Sequence, residues 1–109
     1  MSNNYRDEIV QRLTRNLLDI QLLRLVKEHP SIWGYRIGKT IEADSHIRLG
    51  HGILYPLLNM LEKRGFLKST IKQKCGRARK TYNVTEQGEQ FLQTYYTILS
   101  EQLRITETN

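Results

Sequence analysis

From Glu8 to Pro30 apolar residues return every three or four positions. Ile9, Leu13, Leu17, Ile20 and Leu23 mark one stripe, and Val10, Leu18, Leu22, Leu25 and Val26 widen it. This spacing predicts a long helix buried on more than one side and stopped by Pro30. A chain of 109 residues can build one modest core, so the second side is expected to meet another subunit. Trp33, Ile37 and Ile41 follow at i, i+4 and predict a short second helix, with a turn opening at Asp44 and Ser45. In GILYPLLNMLEKRG, Leu54, Leu57, Leu58 and Leu61 lie within about 100° of arc on a helical wheel, a core face. The opposite face holds Gly52, Pro56, Asn59 and Lys63, with Tyr55 on the flank. Proline is tolerated only near a helix start, so this third helix should begin at about Gly52. Gly65 is positioned as its left-handed C-terminal cap.

At Phe66 the period changes to two. Leu67, Ser69 and Ile71 alternate with Lys68, Thr70 and Lys72, the pattern of a half-buried strand. Gly76 allows a turn, and Lys80 to Val84 returns with Tyr82 and Val84 pointing inward. Two strands alone are marginal in water, so this hairpin must rest on the helices with its tip exposed. Thr85 is a candidate N-cap for a last helix, with Glu86 favourable in its first turn. Leu92, Tyr95, Tyr96, Leu99 and Leu103 continue a stripe along it, and the last four or five residues are expected to fray. No linker or repeat divides the chain, so residues 1–109 are read as a single domain. Its parts are a core over about 8–84 and a C-terminal helix over about 86–105.

Composition excludes several classes. Hydrophobic content of 39% and charged content of 26% are ordinary for a globular protein. No apolar run approaches a membrane span, and Met1 to Asp7 is polar rather than signal-like. The single cysteine, Cys75, rules out an internal disulfide and fits a reducing cytoplasm, the expected location. Its setting among cations would suit a redox sensor, but it has no resolving partner. His29, His46 and His51 have no metal-like spacing with each other or with Cys75, and no cofactor is expected. An enzyme finds no support: there is no phosphate-binding glycine loop, paired carboxylate site or nucleophile with a base.

Charge changes the picture more. The net +6 is confined to the middle: residues 1–31 carry +1, residues 32–82 carry +8 and residues 83–109 carry −3. In IKQKCGRARKTYNV, residues 71–84, five cations stand without a carboxylate, and none occurs between Glu62 and Glu86. Such segregation points to a polyanion-facing surface. Three helices and a basic hairpin form the order of a winged helix-turn-helix, mainly α with a small β-hairpin. The second apolar side of the N-terminal helix is expected to supply a dimer seam. The third helix would present its non-core face to the major groove of double-stranded DNA while the hairpin grips phosphate. Candidate contacts on the recognition helix and its approach are Arg48, His51, Gly52, Tyr55, Asn59 and Lys63. Lys74, Arg77, Arg79 and Lys80 are candidates on the wing, and Arg36 and Lys39 on the second helix for the flanking backbone. Trp33 is read as core or interface packing rather than as a drug pocket.

WGYRI at 33–37, GILYPLLNMLEKRGFL at 52–67 and GRARKTYNVTEQG at 76–88, in this order, resemble the PadR family of bacterial and archaeal transcriptional regulators. The likeness spans residues about 13–100. It implies a dimeric winged-helix repressor with N- and C-terminal dimerisation helices, the C-terminal one packing with the N-terminal one through Leu92, Tyr95, Tyr96, Leu99 and Leu103; several relatives are released by a small-molecule effector such as a phenolic acid or a drug. The chain is similar to the short subfamily, without a large ligand-sensing module. Ile53 stands where the family commonly has threonine, Arg36 where it commonly has glutamate, and Asn59 and Met60 depart near the recognition-helix middle. The operator sequence therefore does not carry over from relatives. The competing expectation is an architectural DNA-coating protein without sequence preference; the polar residues on the recognition-helix face count against it.

Overall fold

The computed structural model describes residues 4–108, apart from the side chains of residues 74 and 105–108. The first apolar period forms two helices, α1 (Asn4–Asn16) and α2 (Leu18–Glu28), rather than the single helix expected from Glu8. Leu17 breaks them with φ −124° and ψ 43°. The cause lies in polar side chains that compete with the helix ladder. Thr14 Oγ1 donates to the Val10 carbonyl, Asn16 Nδ2 donates to the Arg12 carbonyl, and Asp19 Oδ1 accepts from the Ile20 N–H. Ile9 and Leu13 remain exposed, so the core stripe begins in earnest only in α2.

A short strand follows, β1 (Ile32–Trp33), which the sequence reading placed partly on a helix. Trp33 instead precedes α3 (Gly34–Ser45), and Asp44 and Ser45 remain helical, with His46 closing the helix at φ 61°. The third expected helix is α4 (His51–Lys63), one residue from its expected start. Its end is a Schellman turn. The Gly65 N–H donates to the Glu62 carbonyl at 2.9 Å, the Phe66 N–H donates to the Leu61 carbonyl at 2.9 Å, and Gly65 takes φ 82°.

The hairpin comprises β2 (Leu67–Lys74) and β3 (Arg77–Val84), joined by Cys75 and Gly76. Both turn residues have positive φ, 52° and 77°, as a two-residue hairpin of matching twist requires. β1 adds to the outer side of β3, Ile32 opposite Tyr82 and Trp33 opposite Thr81, giving the antiparallel order β1-β3-β2. Asn83 fixes this strand's entry by accepting the Ser31 N–H at 2.8 Å. Leu67 and Tyr82 are buried, but Ile71 is 65% exposed, contrary to the half-buried expectation. The hairpin outruns the core by half its length.

α5 (Glu86–Thr108) passes the expected boundary near 105, and the expected fraying falls on residues 105–109, outside the described side chains. Thr85 caps it as anticipated, its hydroxyl accepting the Gly88 N–H at 3.1 Å. Leu22, Leu23, Ile37, Leu58, Leu61 and Leu92 are fully buried in one core that joins α2, α3, α4, the sheet and α5. Each contributes about 1.5–3 kcal/mol by leaving water.

Candidate nucleic-acid interface

The core face of α4 fixes what remains outside. With Leu54, Leu58 and Leu61 buried, His51, Gly52, Asn59 and Lys63 are all exposed and Tyr55 is 37% exposed. No side chain caps the helix start at Gly50. The His51 and Gly52 amides are left to water or to an incoming anion, while the Ile53 and Leu54 N–H groups both donate to the Gly50 carbonyl at 3.0 Å. Pro56 has no N–H to return to the Gly52 carbonyl, which leaves an acceptor on the same exposed turn.

The wing stands beside this face. His51, Tyr55 and Asn59 share a cleft of about 650 Å³ with Arg77, Arg79 and Lys80. Trp33, Gly34, Tyr35 and Tyr82 complete it. His51 packs edge-on against Tyr55, with ring centroids 5.4 Å apart and planes at 81°. Burial pushes the Tyr82 phenol above its ordinary pKa, and the Glu62 carboxylate and Tyr55 push it the same way. Lys39, Arg48, His51 and Tyr55 line a second recess with Tyr35 and Glu42. Lys39 Nζ lies 5.6 Å from the centre of the Tyr35 ring. Arg36 on α3 and Lys63 at the end of α4 are exposed but line neither recess. The side chain of Lys74 lies outside the described residues.

Register adds a residue that sequence reading did not select. Lys72 stands opposite Arg79, so two like charges face one another across the ladder. Lys72 has the same alternation as its neighbours in sequence, and only the pairing reveals its partner. Among the described residues no carboxylate pairs with Lys72, Arg77, Arg79 or Lys80; the ion pairs Glu8–Arg12 and Lys27–Glu89 lie elsewhere. Tyr35, 54% exposed between the two recesses, is a second residue missed, because it lies off the Trp33, Ile37 and Ile41 stripe from which this helix was read.

The residues assigned to dimerisation divide. Leu92 is fully buried in the protomer's own core and has no surface left for a partner, a correction to the sequence reading. Tyr95 and Tyr96 are half-buried against that core, while Leu99 and Leu103 are 45% and 58% exposed. Among the described residues no helix is long and apolar enough to cross a membrane, and no cluster of His, Cys, Asp or Glu could hold a metal ion.

Residues 22–94, from α2 into α5, match the model of the transcriptional regulator PadR-like family. The chain belongs to that family. Solved structures agree in fold. A PadR family transcription regulator from Clostridium difficile R20291 is 26% identical with a TM-score of 0.70, covering 83% of this chain and 94% of its own. A PadR family transcriptional regulator from Eggerthella lenta is 26% identical with a TM-score of 0.68, covering 98% of this chain and 96% of its own. The smu.1704 protein from Streptococcus mutans is 32% identical with a TM-score of 0.63, covering 84% of this chain and 79% of its own. No curated protein matches the chain. PadR-like proteins are transcription regulators rather than enzymes, and DNA binding through a winged helix comes with membership.

Proposed function

We propose that this PadR-like protein is a homodimeric repressor. It binds a pseudo-palindromic operator with one α4 helix in the major groove of each half-site and each wing on the adjacent backbone. The observation that carries this reading is the like-charged match in the wing, Lys72 opposite Arg79. Facing like charges destabilise a ladder, so the hairpin keeps a cost that only an external polyanion offsets. DNA phosphates do so and release counterions as they bind. Arg77, Arg79 and Lys80 then supply affinity, with Arg36, Lys39, Arg48 and Lys63 on flanking phosphates. His51, Gly52, Tyr55 and Asn59 meet the bases, Asn59 suited to a bidentate pair with adenine.

Exposed apolar side chains near both chain ends support a two-fold partner. Tyr5, Ile9 and Leu13 project from α1, and Ile98, Leu99 and Leu103 from α5. A small-molecule effector would act by changing the separation or tilt of the two α4 helices, since both half-sites must be engaged together.

Affinity selection on random duplexes tests the reading. A two-part motif is expected, bound by a dimer in analytical ultracentrifugation. Arg79→Ala should weaken binding to every sequence and reduce the salt slope by about 1, whereas Asn59→Ala should relax one base position by about 1–3 kcal/mol. Equal binding to all duplexes would replace the regulator with an architectural protein.

A further inference from the structure

The exposed side of α4 is divided lengthwise. Toward the wing it carries Tyr55 and Asn59, which line the cleft with Arg77 and Arg79. On the other flank Ile53, Pro56 and Met60 recur at i, i+3 and i+7; all are exposed, Ile53 at 55% and Met60 at 38%. A lone apolar side chain in water is unremarkable, but a strip of them on a helix beside an unneutralised basic wing is not. The core does not account for the strip, because α4 buries Leu54, Leu58 and Leu61 on another face. Charge on the adjacent wing selects a polyanionic occupant. The apolar group that a DNA duplex exposes in its major groove is the thymine C5-methyl.

We infer that Ile53 reads thymine, packing its side chain on the C5-methyl and thereby selecting one T·A pair in each half-site. The inference rests on the DNA-binding reading above. Ile53 lies in the first turn of α4, the part of a recognition helix that reaches base edges. A Cβ placed on Gly50 or Gly52 would meet nothing within 4 Å, so the surface beside Ile53 is open to close approach. Its β-branched side chain is stiff about χ1 and loses little freedom on contact. With no donor or acceptor, it discriminates by the methyl group alone, which cytosine lacks.

The test uses the full chain and the duplex enriched by selection. Each thymine is replaced in turn by deoxyuridine, which deletes the methyl and keeps the base pair. At one position per half-site the exchange should weaken wild-type binding by about fourfold, the worth of one buried carbon. Ile53→Ala should bind thymine and deoxyuridine duplexes alike, with an unchanged melting temperature because the side chain is exposed. Ile53→Thr, which keeps one γ-methyl, should fall between. Indifference to deoxyuridine everywhere, or a preference that survives in Ile53→Ala, overturns the assignment and leaves the regulator reading standing. Absence of any sequence preference overturns both.

Discussion

The C-terminal end of α4 is enclosed by the rest of the protein, and its N-terminal end is not. Where α4 stops, the Thr85 hydroxyl donates to the Gly65 carbonyl and the Thr85 N–H donates to the Phe66 carbonyl. Arg64 lies over Phe66 and Phe91, its guanidinium 4.6 and 5.4 Å from the ring centres, and those rings stack with centroids 4.5 Å apart. Ser69 donates to the Glu62 carboxylate at 2.7 Å. Where α4 starts, no side chain caps it and both flanking glycines face open space. The helix is thus held at the end where α5 begins and left without a side-chain cap at the end proposed to meet bases. Stability is concentrated at one end and binding capacity at the other.

Two glycine substitutions should separate these ends most sharply. A Cβ on Gly88 would stand 2.3 Å from the Phe66 carbonyl oxygen and 2.7 Å from Val84 Cγ1, with backbone that cannot swing aside. Gly88→Ala is therefore expected to cost about 1–3 kcal/mol or more, seen as a lower midpoint in urea unfolding. Gly52→Ala meets no atom and gains helix propensity, so it should raise stability by up to about 1 kcal/mol. The same change should weaken DNA binding, because a methyl group now stands where a base edge or phosphate approaches. Equal stability losses from the two variants would erase the distinction between the ends.

The wing belongs with the open end, and Lys72→Glu sharpens that grouping. A glutamate opposite Arg79 replaces repulsion with attraction. An exposed cross-strand pair of this kind adds about 0.2–1 kcal/mol to stability. DNA binding should fall at least tenfold at low salt, since one phosphate contact is lost and a carboxylate is placed against the backbone. A more stable protein that binds DNA less well is the expected signature, read by thermal melting and by titration of the selected duplex. A variant that is both less stable and unchanged in binding would mean that the wing charge serves the fold.

This division also explains what was legible in the sequence. Local signals worked at the closed end: the Leu54, Leu58 and Leu61 period, the Gly65 cap and the Thr85 cap all stand as read. Long-range features left no such trace. β1 is two residues long and exists because Ile32 and Trp33 pair with Tyr82 and Thr81, far along the chain. The interruption at Leu17 was hidden because the apolar period runs through it, although Thr14, Asn16 and Asp19 mark it in retrospect. On α5 the stripe from Leu92 to Leu103 keeps one period while passing from the interior to the surface, and periodicity cannot separate an own core from a partner's face. The apolar flank of α4 was overlooked because Ile53 and Met60 were read as departures from a family pattern rather than as a surface of their own.

Tyr82 sits on the border between the two regions, buried with the core yet lining the cleft beside the wing. Its phenol is held neutral above the ordinary pKa, first by burial, then by Glu62 and Tyr55. An unfolded chain would ionise this tyrosine near pH 10, as an exposed phenol does. The folded chain retains the proton to higher pH, so unfolding releases it once the solution passes that value. The contribution to stability is complete below about pH 10 and is lost as pH rises through the folded-state pKa. Tyr82→Phe removes the titrating group, so the difference in melting temperature between wild type and variant should be flat to about pH 9 and should shift against the wild type above about pH 10. A constant difference across that range would mean the phenol is solvated like any exposed tyrosine, and that the cleft reaches further under the sheet than its packing indicates.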